Sequence, residues 1–231
     1  MNPVRGSFPV QIDLAWRLDG AATDPVAPLV LALHGQGMDE NLFALLIQKL
    51  FTLPCRFLLP RAPWPFEHGR PPRIGWSWYP YDGDQERFLG ELVRTERMLL
   101  GLLQHVETTH GLRPQRRIVL GFSQGGYCGG VLALRHPELF AGLVVSGARV
   151  KTEVLGDEIP AAAAGGFRVL LCHGRRDAFV PLEAAERSRA ALAAGGVPVE
   201  LHAFDSGHSL GRAQVGTIAT WLGRHFAPPG G

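Results

Sequence analysis

The chain has 231 residues, of which 46% are hydrophobic and 19% are charged. This composition is typical of a globular protein and excludes a largely disordered chain, and the length suffices for one domain with a buried core. The formal net charge is only +2. We interpret the one small arginine cluster, Arg113, Arg116 and Arg117, as solvent-exposed residues at the start of a strand. We therefore expect no nucleic-acid partner.

The cysteines and the distribution of apolar residues indicate where in the cell the protein is located. Cys55, Cys128 and Cys172 lie far apart in apolar runs, and we interpret them as reduced, buried thiols, which are typical of a reducing environment. The first sixteen residues alternate apolar and polar side chains, so we expect no signal peptide. No segment approaches 18 uninterrupted apolar residues, which predicts no membrane span and makes the cytoplasm the expected location.

The first third of the chain predicts three strands around one helix. Pro9 to Leu18 alternates like an edge strand, and Pro28 to Gly35 is an apolar run typical of a buried strand. Asp39 to Phe51 is amphipathic with acidic residues at its start, which favours a helix. Cys55 to Pro63 predicts a third strand. The segment Trp64 to Asp84 that follows is rich in proline, glycine and aromatic residues and shows no period, so we expect a loop that covers the active site.

The remaining chain alternates strand and helix. A long helix is predicted from Gln85 to His110, and helices also follow Gly126, Pro181 and Leu210. The predicted strands are Arg116 to Phe122, Phe140 to Ala148, Phe167 to Gly174 and Val197 to Asp205. This order predicts a single α/β domain over residues 1–231, with a mostly parallel central sheet and helices on both faces. Ligands of such sheets bind at the carboxyl ends of the strands.

Ser123 lies at one of these strand ends. It follows the Arg116 to Phe122 strand within the pattern G-x-S-x-G, which runs from Gly121 to Gly125. In a nucleophile elbow, such glycines let the backbone double back between strand and helix and expose the serine hydroxyl above the sheet. The pattern alone is weak, but here the strand and the helix that it needs are both predicted. We therefore interpret Ser123 as a catalytic nucleophile.

Asp177 and His208 follow two later strands. An aspartate at a strand end is commonly a helix cap, but the next helix begins near Pro181, so Asp177 lies in the loop before it. His208 lies just before the last helix. The order serine, aspartate, histidine is the order of α/β-hydrolases, and it favours a catalytic triad. Asp205, Asp157 and Glu158 are competing acids; Asp205 shares the strand of His208, and the other two follow no clear strand.

The triad implies an acyl-transfer mechanism. His208 would take the proton of Ser123, and Asp177 would orient the imidazole. The negative oxygen of the tetrahedral intermediate needs donors, for which we predict the backbone N–H groups of Gln124 and Gln36. His34, beside Gln36, is interpreted as a structural brace.

Four stretches carry a resemblance to a known family. "LVLALHGQGMDE", "IVLGFSQGG", "LLCHGRRDAFVP" and "DSGHSL" resemble the phospholipase/carboxylesterase family of small α/β-hydrolases, which includes the acyl-protein thioesterases. The resemblance covers nearly the whole chain. It implies an α/β-hydrolase fold, the same three catalytic residues and the same two backbone donors. Family members often have an aliphatic residue where this chain has Gln36.

The expected substrate is a small or medium acyl ester or thioester. Apolar and aromatic residues near the predicted site are expected to line its pocket, namely Met38, Trp76, Trp78, Tyr79, Phe122, Phe179 and Leu210. No phosphate-binding glycine loop and no metal-ligand spacing is present, so we expect neither cofactor nor metal. A hydrolase-fold binding protein without turnover, and a hydrolase acting on C–C or peptide bonds, remain alternatives. Exposed apolar loops also suggest a homodimer.

Overall fold

A computed structural model describes Gly6, Phe8 and residues 12–226. The strands are β1 (Trp16–Asp19), β2 (Leu29–Leu33), β3 (Arg56–Pro60), β4 (Trp64–His68), β5 (Arg73–Ser77), β6 (Arg117–Phe122), β7 (Gly142–Ser146), β8 (Arg168–Gly174) and β9 (Val199–Phe204). The α-helices are α1 (Glu40–Ile47), α2 (Gln85–Thr109), α3 (Gln124–Arg135), α4 (Glu158–Ala164), α5 (Leu182–Ala194) and α6 (Arg212–Phe226). Short 3₁₀ turns span Gln48–Thr52 and Thr152–Val154.

Among the described residues, seven strands form one twisted sheet in the order β1-β3-β2-β6-β7-β8-β9. In this described sheet β1, at the edge, runs antiparallel to its neighbour, and the other neighbouring pairs are parallel. The central strands β2 and β7 are buried at every residue, as expected for a parallel sheet that is covered on both faces. The predicted sheet is therefore present, and its carboxyl edge gathers the loops after β2, β6, β8 and β9.

Helices cover both faces of the sheet and divide the core in two. The helices α2, α3, α4 and α5 pack over one cluster of buried side chains, which includes Leu99, Leu132 and Leu192. The helices α1 and α6 pack over the other, which includes Phe43 and Trp221. Each helix buries one stripe of apolar residues against the sheet, which is the usual source of helix stability in such folds.

One predicted strand is shorter in the structure, and one helix was not predicted. The edge strand was expected over Pro9 to Leu18, but β1 spans only Trp16–Asp19, which pair with Pro60 to Phe57 of β3. Pro9 to Gln11 lie outside the described residues. The helix α4 was not predicted, since its seven residues are too few to show a helical period.

The segment from Trp64 to Asp84 was expected to be an irregular loop, and this is wrong for Trp64 to Ser77. The strands β4 and β5 form an antiparallel hairpin in which Trp64 pairs with Ser77 and His68 with Arg73. Two further hydrogen bonds attach β5 to the loop after β2: Gly37 N–H donates to the Trp76 carbonyl at 2.9 Å, and Trp76 N–H donates to the Met38 carbonyl at 3.0 Å. The hairpin therefore lies beside the carboxyl edge of the sheet.

Candidate active site

Ser123 occupies a strained turn between β6 and α3. Its φ is 51° and its ψ is −120°, and within the described residues no other non-glycine residue has a positive φ. Such backbone strain is kept only where the surrounding structure enforces it, and it concentrates at functional sites. The Ser123 N–H continues the sheet ladder by donating to the Ser146 carbonyl at 2.9 Å. The turn thus lifts the Ser123 side chain to the carboxyl edge of the sheet.

Two glycines make this turn sterically possible. A Cβ atom on Gly121 would clash with the carbonyl oxygen of Gly125, and a Cβ atom on Gly125 would clash with the carbonyl oxygen of Leu33. Backbone therefore packs on backbone at both positions, where even alanine would force a shift. The spacing of the G-x-S-x-G pattern has this direct physical cause.

The structure brings Ser123, His208 and Asp177 into one hydrogen-bonded line. The His208 Nε2 atom lies 2.8 Å from the Ser123 Oγ atom, and the His208 Nδ1 atom lies 2.7 Å from the Asp177 Oδ2 atom. Asp177 lies in the loop between β8 and α5, and His208 lies between β9 and α6. This geometry lets the imidazole accept a proton at Nε2 while Nδ1–H donates to the carboxylate.

Asp177 is held as an anion. Its side chain is fully buried, and burial by itself raises the pKa of the carboxyl group. The N–H of Val180, the imidazole of His208 and the N–H of Phe179 all donate to the carboxylate and outweigh this effect, so the pKa of Asp177 lies below its usual value. The carboxylate can therefore stabilise an imidazolium at His208 near neutral pH.

The competing acid Asp205 does not reach this line of residues. Its carboxylate pairs instead with the Arg176 guanidinium at 2.8 Å, and both side chains are largely exposed. Glu158 lies at the start of α4, where its Oε2 atom accepts from Gly156 N–H at 2.8 Å. Of the acids that the sequence offered, Asp177 is the one that contacts His208.

Two phenylalanine rings flank the His208 imidazole. The Phe122 ring, which is buried, has its centroid 5.3 Å from that of His208. The Phe179 ring lies 5.1 Å away and is 80% exposed. The imidazole therefore lies between one core side chain and one solvent-facing side chain, and Phe179 presents apolar surface to any molecule that approaches the serine.

The two predicted backbone donors remain available for a ligand. Gln36 lies in the turn after β2, and Gln124 is the first residue of α3, where the helix dipole favours negative charge. Within residues 12–226, neither N–H group donates to a protein acceptor. Gln124 follows Ser123, and Gln36 follows Gly35, on which a Cβ atom would lie 3.3 Å from the Ser123 Cβ atom. An oxyanion hole requires free N–H groups near the nucleophile, and these two are candidates.

His34 braces the loop that carries Gln36, and we name residues 34–38 the oxyanion loop. The His34 Nδ1–H group donates to the Gly35 carbonyl at 2.7 Å, and its Nε2 atom accepts from Ala62 N–H at 3.0 Å. Burial lowers the pKa of His34 to about 4, so the ring is neutral near pH 7. A neutral tautomer with one donor and one acceptor satisfies both of these contacts.

The structure divides the predicted pocket residues into two groups. Met38, Phe122 and Leu210 share the core cluster under α1 and α6, and Trp76 is half-buried with the Arg61 guanidinium 5.0 Å above its ring. Trp78 and Tyr79 were predicted to line the pocket, and this is wrong. Trp78 has no exposed surface, its indole N–H donates to the His34 carbonyl at 2.8 Å, and Tyr79 packs against Phe88. Trp78 and Tyr79 are therefore core residues, and Trp78 holds the backbone of the oxyanion loop through its bond to His34.

A cavity lies next to Gln36, and apart from Gln36 its lining residues were not among the predicted site residues. It has a volume of about 410 Å³ and lies between the hairpin and Gln36, lined by Gln36, Trp64, Pro65, Phe66, Ser77, Pro80 and Tyr81. Its size and its mostly apolar lining are typical of a small-molecule site. Trp64 and Phe66 are neighbours on one face of β4, but Pro65 between them interrupts the alternation that would predict a strand here.

The described residues were also compared with the needs of a metal ion, a thiol nucleophile and a membrane span. Within residues 12–226, no group of three or more His, Cys, Asp or Glu side chains could hold a metal ion. Cys55, Cys128 and Cys172 are free and buried. Burial raises the pKa of the Cys128 thiol well above its usual value, so it is a poor nucleophile. In the same residues, no helix combines the length and the apolar character needed to cross a bilayer.

The chain is similar in sequence and in fold to several known proteins. A sequence model of the phospholipase/carboxylesterase family matches residues 20–226. Lysophospholipase-like protein 1 of Mus musculus is 24% identical over 194 residues, which are 81% of this chain and 80% of that protein. The crystal structure of esterase PE8 is 25% identical, with a TM-score of 0.74 over 93% of this chain and 100% of the other.

The acyl-protein thioesterase 2 of Zea mays has the same fold at 18% identity, with a TM-score of 0.70 over 92% of this chain and 99% of the other. The predicted α/β-hydrolase fold is thereby confirmed. The family and these relatives support a carboxylic ester hydrolase of the esterase or thioesterase type. The chain belongs to the phospholipase/carboxylesterase family.

Proposed function

We propose that this protein is a serine hydrolase that cleaves small to medium acyl esters or thioesters through a covalent acyl-enzyme intermediate. The observation that carries the proposal is the line Asp177–His208–Ser123, with hydrogen-bond distances of 2.7 and 2.8 Å at a strained elbow. A serine hydroxyl is a weak nucleophile near neutral pH, and an imidazole at this distance is the base that it needs.

The first half of the reaction acylates the serine. The Ser123 Oγ atom attacks the carbonyl carbon of the substrate while its proton passes to His208 Nε2, and Asp177 stabilises the imidazolium that forms. The negative oxygen accepts hydrogen bonds from the N–H groups of Gln36 and Gln124. When the tetrahedral intermediate collapses, the bond to the leaving group breaks and His208 returns the proton to the departing alcohol or thiol.

The second half of the reaction releases the acid. A water molecule gives a proton to His208 Nε2 and attacks the acyl-enzyme carbonyl, and the second tetrahedral intermediate collapses with the proton returned to Ser123 Oγ. The same two N–H groups stabilise both intermediates. The cavity of about 410 Å³ beside Gln36 is proposed to hold the acyl chain, with the hairpin as its cover.

Labelling with a fluorophosphonate probe tests the proposed nucleophile. The wild-type protein should react covalently, and Ser123→Ala should not. Ser209→Ala is a matched control, because Ser209 is exposed beside His208 and the variant should label fully. A folded wild-type protein that does not label would contradict the proposal and favour a binding protein of the same fold.

A series of nitrophenyl esters tests the proposed substrate size. We expect kcat/KM to rise about fourfold for each methylene, which corresponds to about 0.8 kcal/mol of burial, until the cavity is filled. Phe66→Ala should shift the optimum to longer chains. Ile74→Ala, on the opposite face of the hairpin, should leave the optimum unchanged. Equal rates for all chain lengths would contradict an acyl pocket at this position.

A further inference from the structure

The β4–β5 hairpin turns one face toward the oxyanion loop. Trp64, Phe66 and His68 alternate along β4 and share this face, and Gly75 of β5 lies directly opposite Phe66. A Cβ atom on Gly75 would clash with Gly37, so the absence of a side chain there lets the hairpin backbone pack against the loop. The face therefore continues from the cavity beside Gln36 to His68.

His68 brings a polar ring next to the oxyanion loop. Its Nε2 atom lies 3.4 Å from where a Cβ atom on Gly37 would be, and Gly37 is adjacent in sequence to Gln36. The imidazole stacks on Phe66, with 5.9 Å between ring centroids and 17° between ring planes. An apolar surface thus ends at a group that can donate a hydrogen bond, close to the proposed position of the reacting carbonyl.

Two arginines extend this polar end. Arg73 pairs directly with His68 across the hairpin, and directly opposed residues project from the same face. Arg70 lies in the connecting turn. Within the described residues, neither guanidinium has a carboxylate within 4.0 Å, whereas Arg61 is paired with Glu40 at 2.6 Å. The one acid of the hairpin, Glu67, lies opposite Ile74 on the other face. The positive charge is therefore not compensated locally.

We infer that His68, Arg70 and Arg73 form a subsite for an anionic group of the substrate, a carboxylate or a phosphate, and that the enzyme prefers anionic esters to neutral ones. This inference rests on the proposed function. A guanidinium binds either anion through two parallel hydrogen bonds, and the His68 N–H group adds a further donor. The apolar part of such an ester lies along Trp64 and Phe66, while its anion reaches the end of the hairpin.

The test compares matched esters that differ in one charge. The carboxylate pair is 4-carboxyphenyl butanoate and its methyl ester, and the phosphate pair is 1-butanoylglycerol 3-phosphate and 1-butanoylglycerol. We expect the wild-type kcat/KM for the anionic member to exceed that for the neutral member in one or both pairs. The pair with the larger ratio identifies the anion. This ratio should fall about fivefold in Arg73→Gln and further in the Arg70→Gln/Arg73→Gln double variant.

The neutral esters serve as the internal control, since their kcat/KM should change less than twofold in these variants. Arg168→Gln, an exposed arginine at the start of β8, should leave the ratio unchanged. A wild-type ratio of one or below in both pairs would overturn the inference, as would a ratio that survives in the double variant. If the wild-type protein hydrolyses none of the four esters and does not label with fluorophosphonate, the proposed function itself fails, which is a separate outcome.

Discussion

The carboxamide of Gln124 joins the nucleophile elbow to Trp78: its Oε1 atom accepts from the Trp78 N–H at 2.8 Å. Its Nε2 atom donates to the Tyr79 carbonyl at 2.9 Å and to the Ser77 Oγ atom at 3.0 Å. The residue whose N–H is proposed to bind the oxyanion therefore also fixes the segment that follows the hairpin. The Gln124 side chain is buried and all its polar atoms are paired, so it fixes the turn at Ser123 relative to the segment around Trp78.

Replacement of this side chain should lower both stability and turnover. Gln124→Met preserves the approximate volume but leaves the Trp78 N–H buried without a partner, while the Tyr79 carbonyl loses one hydrogen bond and still accepts from Ser77 Oγ. The unpaired N–H costs about 1–3 kcal/mol of unfolding free energy. We expect kcat to fall although the backbone N–H is retained. Urea denaturation and steady-state kinetics measure the two effects. Gln104→Met, on the exposed side of α2, is the control, and equal stability of the two variants would contradict the buried network.

Asp177 and Asp205 offer a matched test of the acid in the proposed triad. Asp177→Asn should lower kcat by about 10⁴-fold, because an amide stabilises the wrong tautomer of His208 and cannot balance the imidazolium charge. Asp205→Asn should change kcat less than twofold, since Asp205 pairs with Arg176 in solvent. Steady-state kinetics on one nitrophenyl ester suffices. A larger loss in the Asp205 variant would reassign the acid.

The elbow glycines should be far less tolerant than a helical glycine in open space. Gly125→Ala places a methyl group against the Leu33 carbonyl oxygen, and such overpacking costs about 1–3 kcal/mol. Gly216→Ala, in α6, meets nothing within 4 Å and should stabilise the protein by up to about 1 kcal/mol through helix propensity. Thermal or urea unfolding of both variants gives the comparison. Destabilisation of the two by the same amount would show that the elbow is not closely packed.

The meeting of Ser123, Asp177 and His208 could be predicted because parallel strands end at a common edge. Each residue follows its own strand, and the chain order of the three matched a known arrangement. The pattern of buried, β-branched and leucine-rich strands is strong enough to place these ends within one or two residues. The position of Ser123, Asp177 and His208 at the sheet edge therefore follows from the predicted strand ends, the G-x-S-x-G pattern and this chain order, whereas their hydrogen-bond distances depend on tertiary packing.

The lining of the pocket could not be predicted in the same way. Trp64 and Trp78 lie in one aromatic segment without a clear period, yet Trp64 borders the cavity and Trp78 is buried against His34. Trp64 belongs to a hairpin whose alternation of apolar and polar residues is interrupted by proline and glycine. Trp78 is buried because its backbone N–H donates to the buried Gln124 carboxamide. Both are long-range contacts, which composition does not reveal.

The neutral state of His34 makes the stability of the fold dependent on pH. Burial lowers the pKa of His34 to about 4 in the native state, whereas in the unfolded chain the pKa is about 6.5. Between these values the unfolded state binds more protons, so the free energy of unfolding falls as the pH is lowered. From pH 7 to pH 5 this single group should account for a loss of about 2 kcal/mol.

Urea denaturation at pH 7 and pH 5 measures this loss. In His34→Gln the difference between the two pH values should be smaller than in the wild-type protein by about that amount, even though the variant is less stable at both. His105→Gln removes an exposed histidine and should leave the wild-type difference intact. The pKa of Asp177 and that of Glu153 both lie below their usual values, so the stability that these carboxylates contribute is lost mainly below pH 5. If the stability difference between pH 7 and pH 5 is as large in His34→Gln as in the wild-type protein, a group other than His34 causes it.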